Sequence, residues 1–354
     1  MAGTADGITL GRHYDDQTKR IGEKVVYEGE RHLLLFGPNG TGKGTRFLIP
    51  NLLSIKDRSI VVIDPKGELA AVTADYRRTV SEVVMLNPFD MLSLGSKGFN
   101  PLALLNSKSP ETFYDDSAAL GEALIKSSDK DPHWGESAQG LLVALIMWEK
   151  LKNGDEANLE NVRRLLTEAD EFKRTYDKKG NLVSNEQTKG LAVTAADMVD
   201  EGGYEIASLA ARFTERTNEL ASVRSTADTQ TRWILSPPMR DDLKKKDGVD
   251  FRKLKEGPRP TTVYVILPAD RMRTHSVWLR LVVVSALRAL YRPGGLRTLL
   301  LIDEMPALGH LAPLEDAFGL VRGYKVQIAG ICQDLNQLKA LYKGSPHDLF
   351  KIVR

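Results

Sequence analysis

Two groups of residues in this chain have the types and spacing that chemistry needs. The first is Gly37-Pro38-Asn39-Gly40-Thr41-Gly42-Lys43, which follows the apolar run Leu33-Leu34-Leu35-Phe36 and leads into a helix-like stretch. A strand, a glycine-rich turn and a helix with lysine at its start make a phosphate-cradling loop. The glycines let successive backbone N–H groups converge on one point, and the helix N-terminus adds a positive dipole end. Lys43 then reaches the β- and γ-phosphates as a point charge. The second group is Thr298-Leu299-Leu300-Leu301-Ile302-Asp303-Glu304, an apolar run that ends in two acids. Such a run reads as a buried parallel strand whose carboxylates stand at its C-terminal end, where open α/β sheets bind ligands. Asp303 is placed to hold Mg²⁺, directly or through water, and Glu304 to polarise an attacking water. Taken alone, the acidic pair is equally a core strand meeting solvent at a charged turn. Beside the glycine loop it implies a site for ATP and Mg²⁺.

Other residues leave alternatives open. Gln333 lies just past the expected strand Lys325–Gly330, where a glutamine senses a γ-phosphate or orients water, or merely caps a helix. Arg322, at a helix-to-strand corner, is either an arginine finger for a neighbouring subunit or a solvated side chain. Asp64-Pro65-Lys66-Gly67-Glu68 closes a second strand at the ligand-facing end, or forms a turn with a helix cap. Lys244-Lys245-Lys246 and Arg252-Lys253 sit among acids and read as a solvated face. His133, His275 and His310 lack metal-ligand spacing, and no nucleophile–base pair argues for covalent catalysis.

These residues need a sheet to position them. Apolar strands are expected at His32–Gly37, Ser59–Asp64 and Glu82–Leu86, separated by helices near Lys43–Ser54 and Gly67–Thr79. That βαβ rhythm returns at Thr261–Leu267 and continues through a helix near Thr274–Tyr291, the Asp303 strand, and helices near Pro313–Arg322 and Asp334–Tyr342. Between the two halves the chain reads as mostly helical. Ala138, Leu141, Leu142, Leu145 and Trp148 form an apolar stripe at helical spacing, and Asp155–Asp170 and Ile206–Leu220 read as further amphipathic helices. Lys178-Lys179-Gly180-Asn181 and Glu201-Gly202-Gly203 read as loops. The expected fold is therefore α/β, with a mainly parallel sheet in a nucleotide-binding domain (residues 1–106 and 236–354) interrupted by an inserted all-α domain (residues 107–235).

Composition narrows the class. The 354 residues carry a net charge of +2 and 42% hydrophobic residues, enough for one large α/β domain and a smaller unit. The pI near 8.4 falls short of a dedicated nucleic-acid binder, so any DNA contact must come from a local patch. The single cysteine, Cys332, excludes an intramolecular disulfide and suits a reducing cytoplasm. The start, Met1 to Gly7, is small and polar and does not read as a signal peptide. No stretch reaches the ~18 apolar residues of a membrane span, since Leu141–Trp148 is too short and Arg280 and Arg288 interrupt Trp278–Tyr291. The expectation is a soluble, cytoplasmic protein.

A longer string of motifs adds a resemblance. Gly37 to Gly44, Ile49-Pro50-Asn51-Leu52-Leu53, Val61-Val62-Ile63-Asp64-Pro65-Lys66-Gly67-Glu68-Leu69, Asn87-Pro88-Phe89, Phe99-Asn100-Pro101-Leu102, Asp131-Pro132-His133-Trp134, Leu301-Ile302-Asp303-Glu304 and Gln333-Asp334-Leu335-Asn336-Gln337-Leu338 occur in that order across essentially the whole chain. The ordered set resembles the type IV secretion coupling proteins, the TraG/TraD-like conjugative DNA-transfer ATPases. The resemblance implies a RecA-like P-loop NTPase with an all-α insertion, assembled as a homo-hexamer at the cytoplasmic face of the inner membrane. It implies ATP hydrolysis at subunit interfaces that drives single-stranded DNA or protein effectors into a secretion channel. A relaxase–DNA complex and inner-membrane channel components are the implied partners. It also assigns Arg322 the finger role and Gln333 the phosphate-sensing role.

Three departures from that family pattern stand out. Gly44 occupies the position where most P-loops carry the Ser or Thr that ligates Mg²⁺, leaving Thr45, about 100° further round the helix, as the remaining hydroxyl. The two membrane-spanning helices with which relatives usually begin are not found. The chain stops at Ile352-Val353-Arg354, where relatives continue into another strand and helix, so an unpaired sheet edge is expected. Two other readings compete: a double-stranded DNA pump of the FtsK/HerA type, which the helices between Asn100 and Thr261 disfavour, and a truncated nucleotide-binding adaptor that does not hydrolyse.

Overall fold

The structure, a computed structural model, describes residues 7–125, 132–245 and 248–342. Asp131, Lys246, the first six residues and Ile352-Val353-Arg354, each part of an expectation above, lie outside the described residues. The chain divides into two compact units, Met1–Lys97 with Val249–Arg354, and Gly98–Gly248. In chain order the strands are β1 (Ile8–Asp15), β2 (Arg20–Tyr27), β3 (Leu33–Phe36), β4 (Ser59–Ile63), β5 (Glu82–Leu86), β6 (Glu171–Tyr176), β7 (Leu182–Lys189), β8 (Thr261–Val265), β9 (Thr298–Ile302) and β10 (Val326–Cys332).

The first unit is built on a six-stranded sheet of order β3-β10-β9-β4-β8-β5, in which every pairing is parallel. All residues of β4, β8, β9 and β10 are buried, as continuous apolar runs must be in a sheet covered on both faces. The register brings the functional strands to a common edge: Phe36 pairs with Cys332, Gly330 with Ile302, and Ile302 with Ile63. Helices follow β4 (Glu68–Val80) and β8 (Met272–Leu290), and the second is buried along nearly its whole length, with Trp278 fully enclosed. Its Arg280 is accommodated by donating to the His310 carbonyl at 2.6 Å. Among the described residues no helix is long and apolar enough to cross a membrane.

Two features of this unit depart from expectation. β1 and β2 form an antiparallel hairpin with no counterpart in the sequence reading. Asn51 anchors it: its amide oxygen accepts the Thr9 N–H at 2.8 Å, and its amide nitrogen donates to the carbonyls of Thr9 (2.9 Å) and Phe47 (2.8 Å). The helix after the glycine loop begins as a π turn, Gly44–Leu48, before the α-helix Ile49–Ser54. Pro50 cannot donate to a carbonyl one turn back, and the Ile49 N–H reaches past the usual partner to Gly44.

The second unit is predominantly helical. Its centre is Pro132–Asn153, buried on nearly all sides from Leu141 to Lys150, a wider burial than the single stripe expected. It packs against Pro110–Leu124, Leu159–Thr167, Gly203–Ala210 and Asn218–Thr231. The expected helix Ile206–Leu220 is broken instead: Thr217 takes extended geometry and caps a new helix by accepting the Leu220 N–H at 3.0 Å. The unit also carries one β-hairpin, β6–β7, so it is not all-α. The Lys178-Lys179-Gly180-Asn181 loop is the turn of that hairpin. Asp177 holds it by accepting the N–H groups of Lys179 (2.8 Å) and Asn181 (2.9 Å). Two motifs serve this packing. Phe99 is fully buried, and Asn100 donates to the Ala157 carbonyl at 2.8 Å while capping the turn Pro101–Leu104. Residues 98–106 and 236–245 belong to the helical unit, not to the sheet unit expected for them.

Candidate active site

The glycine loop leaves the C-terminal end of β3 and is tied at its first residue, where the Gly37 N–H donates to the Cys332 carbonyl at 3.1 Å. Gly40 and Gly42 sit at φ +79° and +82°, a region costly for any residue with a Cβ. Among the described residues the N–H groups of Asn39, Gly40 and Gly42 have no hydrogen-bond acceptor. Unpaired, closely spaced donors of this kind make a concavity for an anion. Lys43 folds back over the loop, its ammonium donating to the carbonyls of Gly37 (2.5 Å) and Pro38 (3.0 Å), and the Thr41 hydroxyl also donates to Pro38 (2.9 Å). The Thr45 hydroxyl turns to the Gly42 carbonyl at 3.3 Å, and Gly44 offers no side chain.

Three strands bring the acidic side of the site to the same edge. Asp303 follows β9 directly, its N–H bonded to the Ile63 carbonyl at 3.2 Å. Burial and then the neighbouring Glu304 charge raise its carboxyl above the usual range, while Lys43 and Lys66 pull it back. Glu304 adopts φ +67° and ψ 56°, the left-handed region, at a cost of about 1–2 kcal/mol for a residue with a Cβ. The kink turns its carboxylate across the sheet edge, where Gln333 at the end of β10 donates to it at 2.9 Å. The Gln333 amide oxygen in turn lies 3.5 Å from the Asn39 amide nitrogen on the glycine loop. Because β10 lies between β3 and β9, Gln333 bridges loop and acid. Among the described residues no three His, Cys, Asp or Glu side chains converge on one point, so a divalent ion at Asp303 would take most of its ligands from phosphate and water, the usual habit of Mg²⁺.

For Asp64 the sequence leaves open a ligand-facing strand end or a helix cap. The residue ends β4 beside Asp303 and is 1% exposed. Its carboxylate accepts the Ala70 N–H at 2.8 Å, the capping role of the plainer alternative. Burial pushes its pKa up to about 6, with Asp303 adding to the rise against the backbone donors. The signal was present in the motif Asp64-Pro65-Lys66-Gly67, but only the β4–β9 pairing places it at the site.

Arg322 is not brought to this edge. It is exposed in the turn Val321–Tyr324 before β10, at the opposite end of the sheet and about 20 Å along the strands from Gln333. It lines a small depression with Glu30, Arg58, Arg297 and Lys325. His32 nearby is held neutral, its pKa pushed down to about 4 by burial and then by the Arg322 charge. Lys244 pairs with Glu160, and Arg252 with Asp250 at 2.9 Å. Cys332 is buried, and burial pushes its thiol up to about 12.

A glycine-loop site on a parallel sheet of this order is shared by many proteins, but comparison with known proteins narrows it. Residues 4–350 match the family described as Type IV secretory system Conjugative DNA transfer. The chain belongs to that family. Conjugal transfer protein TraG of Escherichia coli is 29% identical over 98% of this chain and 54% of its own length. Protein VirD4 of Rhizobium radiobacter is 24% identical over 91% of this chain and 44% of its own length. The chain thus spans about half the length of the curated relatives it matches. Among solved structures, the unbound bacterial conjugative coupling protein TrwBdeltaN70 superposes with a TM-score of 0.68 at 20% identity, covering 99% of this chain and 71% of that one. TrwB in complex with ADP and Mg²⁺ superposes with a TM-score of 0.63 at 20% identity, over 92% of this chain and 69% of that one. The fold is that of a RecA-like P-loop NTPase with helical insertions, and the family is that of the TraG/TraD/VirD4-like coupling proteins.

Proposed function

We propose that this chain is the ATP-hydrolysing part of a coupling protein that delivers single-stranded DNA, protein substrates or both to a type IV secretion channel. One observation carries the reading. The free donors of the Gly37–Lys43 loop and the group Asp303, Glu304 and Gln333 share one sheet edge, in a chain of the conjugative DNA-transfer family. Lys43 and the N–H groups of Asn39, Gly40 and Gly42 bind the phosphates. Asp303 would hold Mg²⁺, which would neutralise charge developing on the phosphates during transfer. Glu304, fixed by Gln333, orients the attacking water, and Gln333 reports on the γ-phosphate through its contact with Asn39. Phosphoryl transfer needs little covalent help, so position and charge supply the catalysis.

The complexes of TrwB with the ATP analogue ADPNP and with ADP and Mg²⁺ support these cofactors. Arg322, exposed at the far end of the sheet, fits a finger delivered to the next subunit of a homo-hexamer. The cytoplasmic face of the inner membrane, beside the channel components, is the proposed location, with a relaxase–DNA complex or effectors as cargo. The test is steady-state ATP hydrolysis by the wild type and Glu304→Gln, with and without single-stranded DNA, across protein concentration. Turnover that rises with concentration and DNA and disappears in the variant is the expected outcome. Nucleotide binding with no turnover under any condition would overturn the motor and leave an adaptor.

A further inference from the structure

The β6–β7 hairpin of the helical unit is almost entirely exposed, and its composition is unlike that of a solvated turn. Both register irregularities place the extra residue in β7, so alternation along β6 is uninterrupted. Phe172, Arg174 and Tyr176 therefore share one face, with the two aromatic rings about 13 Å apart along the strand. Phe172 is 38% and Tyr176 56% exposed, a cost that a free surface does not repay. The guanidinium of Arg216 lies 5.5 Å from the Phe172 ring centroid and is itself held by Asp170 at 3.2 Å, which fixes the platform at its base.

Charge points to the partner. On the aromatic face Phe172, Arg174 and Tyr176 stand opposite Gln187, Asn185 and Leu182, none of them acidic; Glu171 pairs with Lys189 at 3.0 Å, Glu186 lies opposite Lys173 on the other face, and Asp177 is the one acid in the turn. Among the described residues Arg174, Lys178 and Lys179 make no ion pair, so the aromatic face carries a cation and no acid, and the tip sets two lysines against Asp177 alone, an excess of positive charge. Stacking rings interleaved with free cations suit a polyanion whose bases are unpaired. We infer that the face Phe172–Arg174–Tyr176, with Lys178 and Lys179 at its tip, is a contact for single-stranded DNA within the helical unit. This rests on the DNA-delivery reading above and assigns it a surface: the rings stack on bases, and the cations follow the phosphates.

The experiment is fluorescence anisotropy of a labelled oligo-dT, and of a duplex of equal length, against the full chain at several salt concentrations. Phe172→Ala/Tyr176→Ala is expected to weaken oligo-dT binding about tenfold or more, with little change for duplex. Phe172→Trp/Tyr176→Trp is expected to restore it, and Lys178→Ala/Lys179→Ala to lower the salt dependence by about one ion. Wild-type binding that the alanine variant retains in full would overturn the hairpin site alone and leave the exposed rings to a protein partner. No oligo-dT binding by the wild type would overturn the site and the DNA reading together. Unchanged nucleotide binding and circular dichroism in each variant exclude misfolding as the cause.

Discussion

At the C-terminal ends of β3, β10, β9 and β4 the sheet presents carboxylates and free N–H donors; at the N-terminal ends of the same strands it presents guanidinium groups. The two edges treat charge differently. At the first, Asp64 is buried and Asp303 half-buried beside it, both with raised pKa values, and Asn39, Gly40 and Gly42 hold donors in reserve. At the second, Asp57 pairs with Arg58 at 2.8 Å and with Arg297 at 3.7 Å, and Gln327 accepts from Arg58 at 3.3 Å. Those two arginines are spent on structure. Arg322 stands apart, exposed and in no ion pair among the described residues. Parallel strands end in step, so the carboxylates and free donors gather at one edge, while the opposite edge is held by ion pairs and leaves Arg322 exposed.

The largest expected effect is at the first edge. Lys43→Ala should abolish turnover and nucleotide binding together, because the ammonium closes the phosphate loop; near-normal hydrolysis by this variant would break the assignment of the edge. Arg322→Ala should lose about 10³-fold or more in kcat while still binding nucleotide. Mixing the two inactive variants sharpens the contrast, since an intact loop from one chain then meets an intact arginine from the other. Recovered turnover in the mixture supports the arginine acting across subunits, and a mixture as inactive as its parts would count against it.

The smallest effect concerns stability. Asp64 titrates at about 6 in the folded chain, against an ordinary value of 3.8. A raised pKa means that the folded state binds the proton more tightly. The associated stability is present below the unfolded value and is lost as pH rises through about 6. Asparagine at this position still offers an oxygen to the Ala70 N–H and never ionises. Asp64→Asn should therefore gain on the wild type by about 2 kcal/mol between pH 4 and pH 7 in chemical denaturation. Parallel pH profiles for the two proteins would show that burial does not strain this carboxyl.

Much of the fold was legible because its signals are local. The strands β4, β5, β8 and β9 are short apolar runs between turns, and their ends agree with expectation to within two residues or so. The central helix Pro132–Asn153 was visible from its apolar spacing. The β6–β7 hairpin was missed although Asp177 and Gly180-Asn181 are strong turn residues between β-formers, because the surrounding helices dominated the reading. The β1–β2 hairpin was missed for another reason: it is pinned by Asn51, a residue distant in sequence whose role no local pattern shows.

The sequence by itself determined the glycine loop, the acidic strand end and the parallel character of the sheet, since each depends on residues adjacent along the chain. Only the tertiary structure decided that β10 lies between β3 and β9, which is what sets Gln333 between Asn39 and Glu304. It alone placed Asp64 beside Asp303, bent Glu304 into the left-handed region and left Arg322 at the far edge. Strand order and burial arise from packing between segments far apart in sequence, and such packing leaves no periodic trace in any one of them.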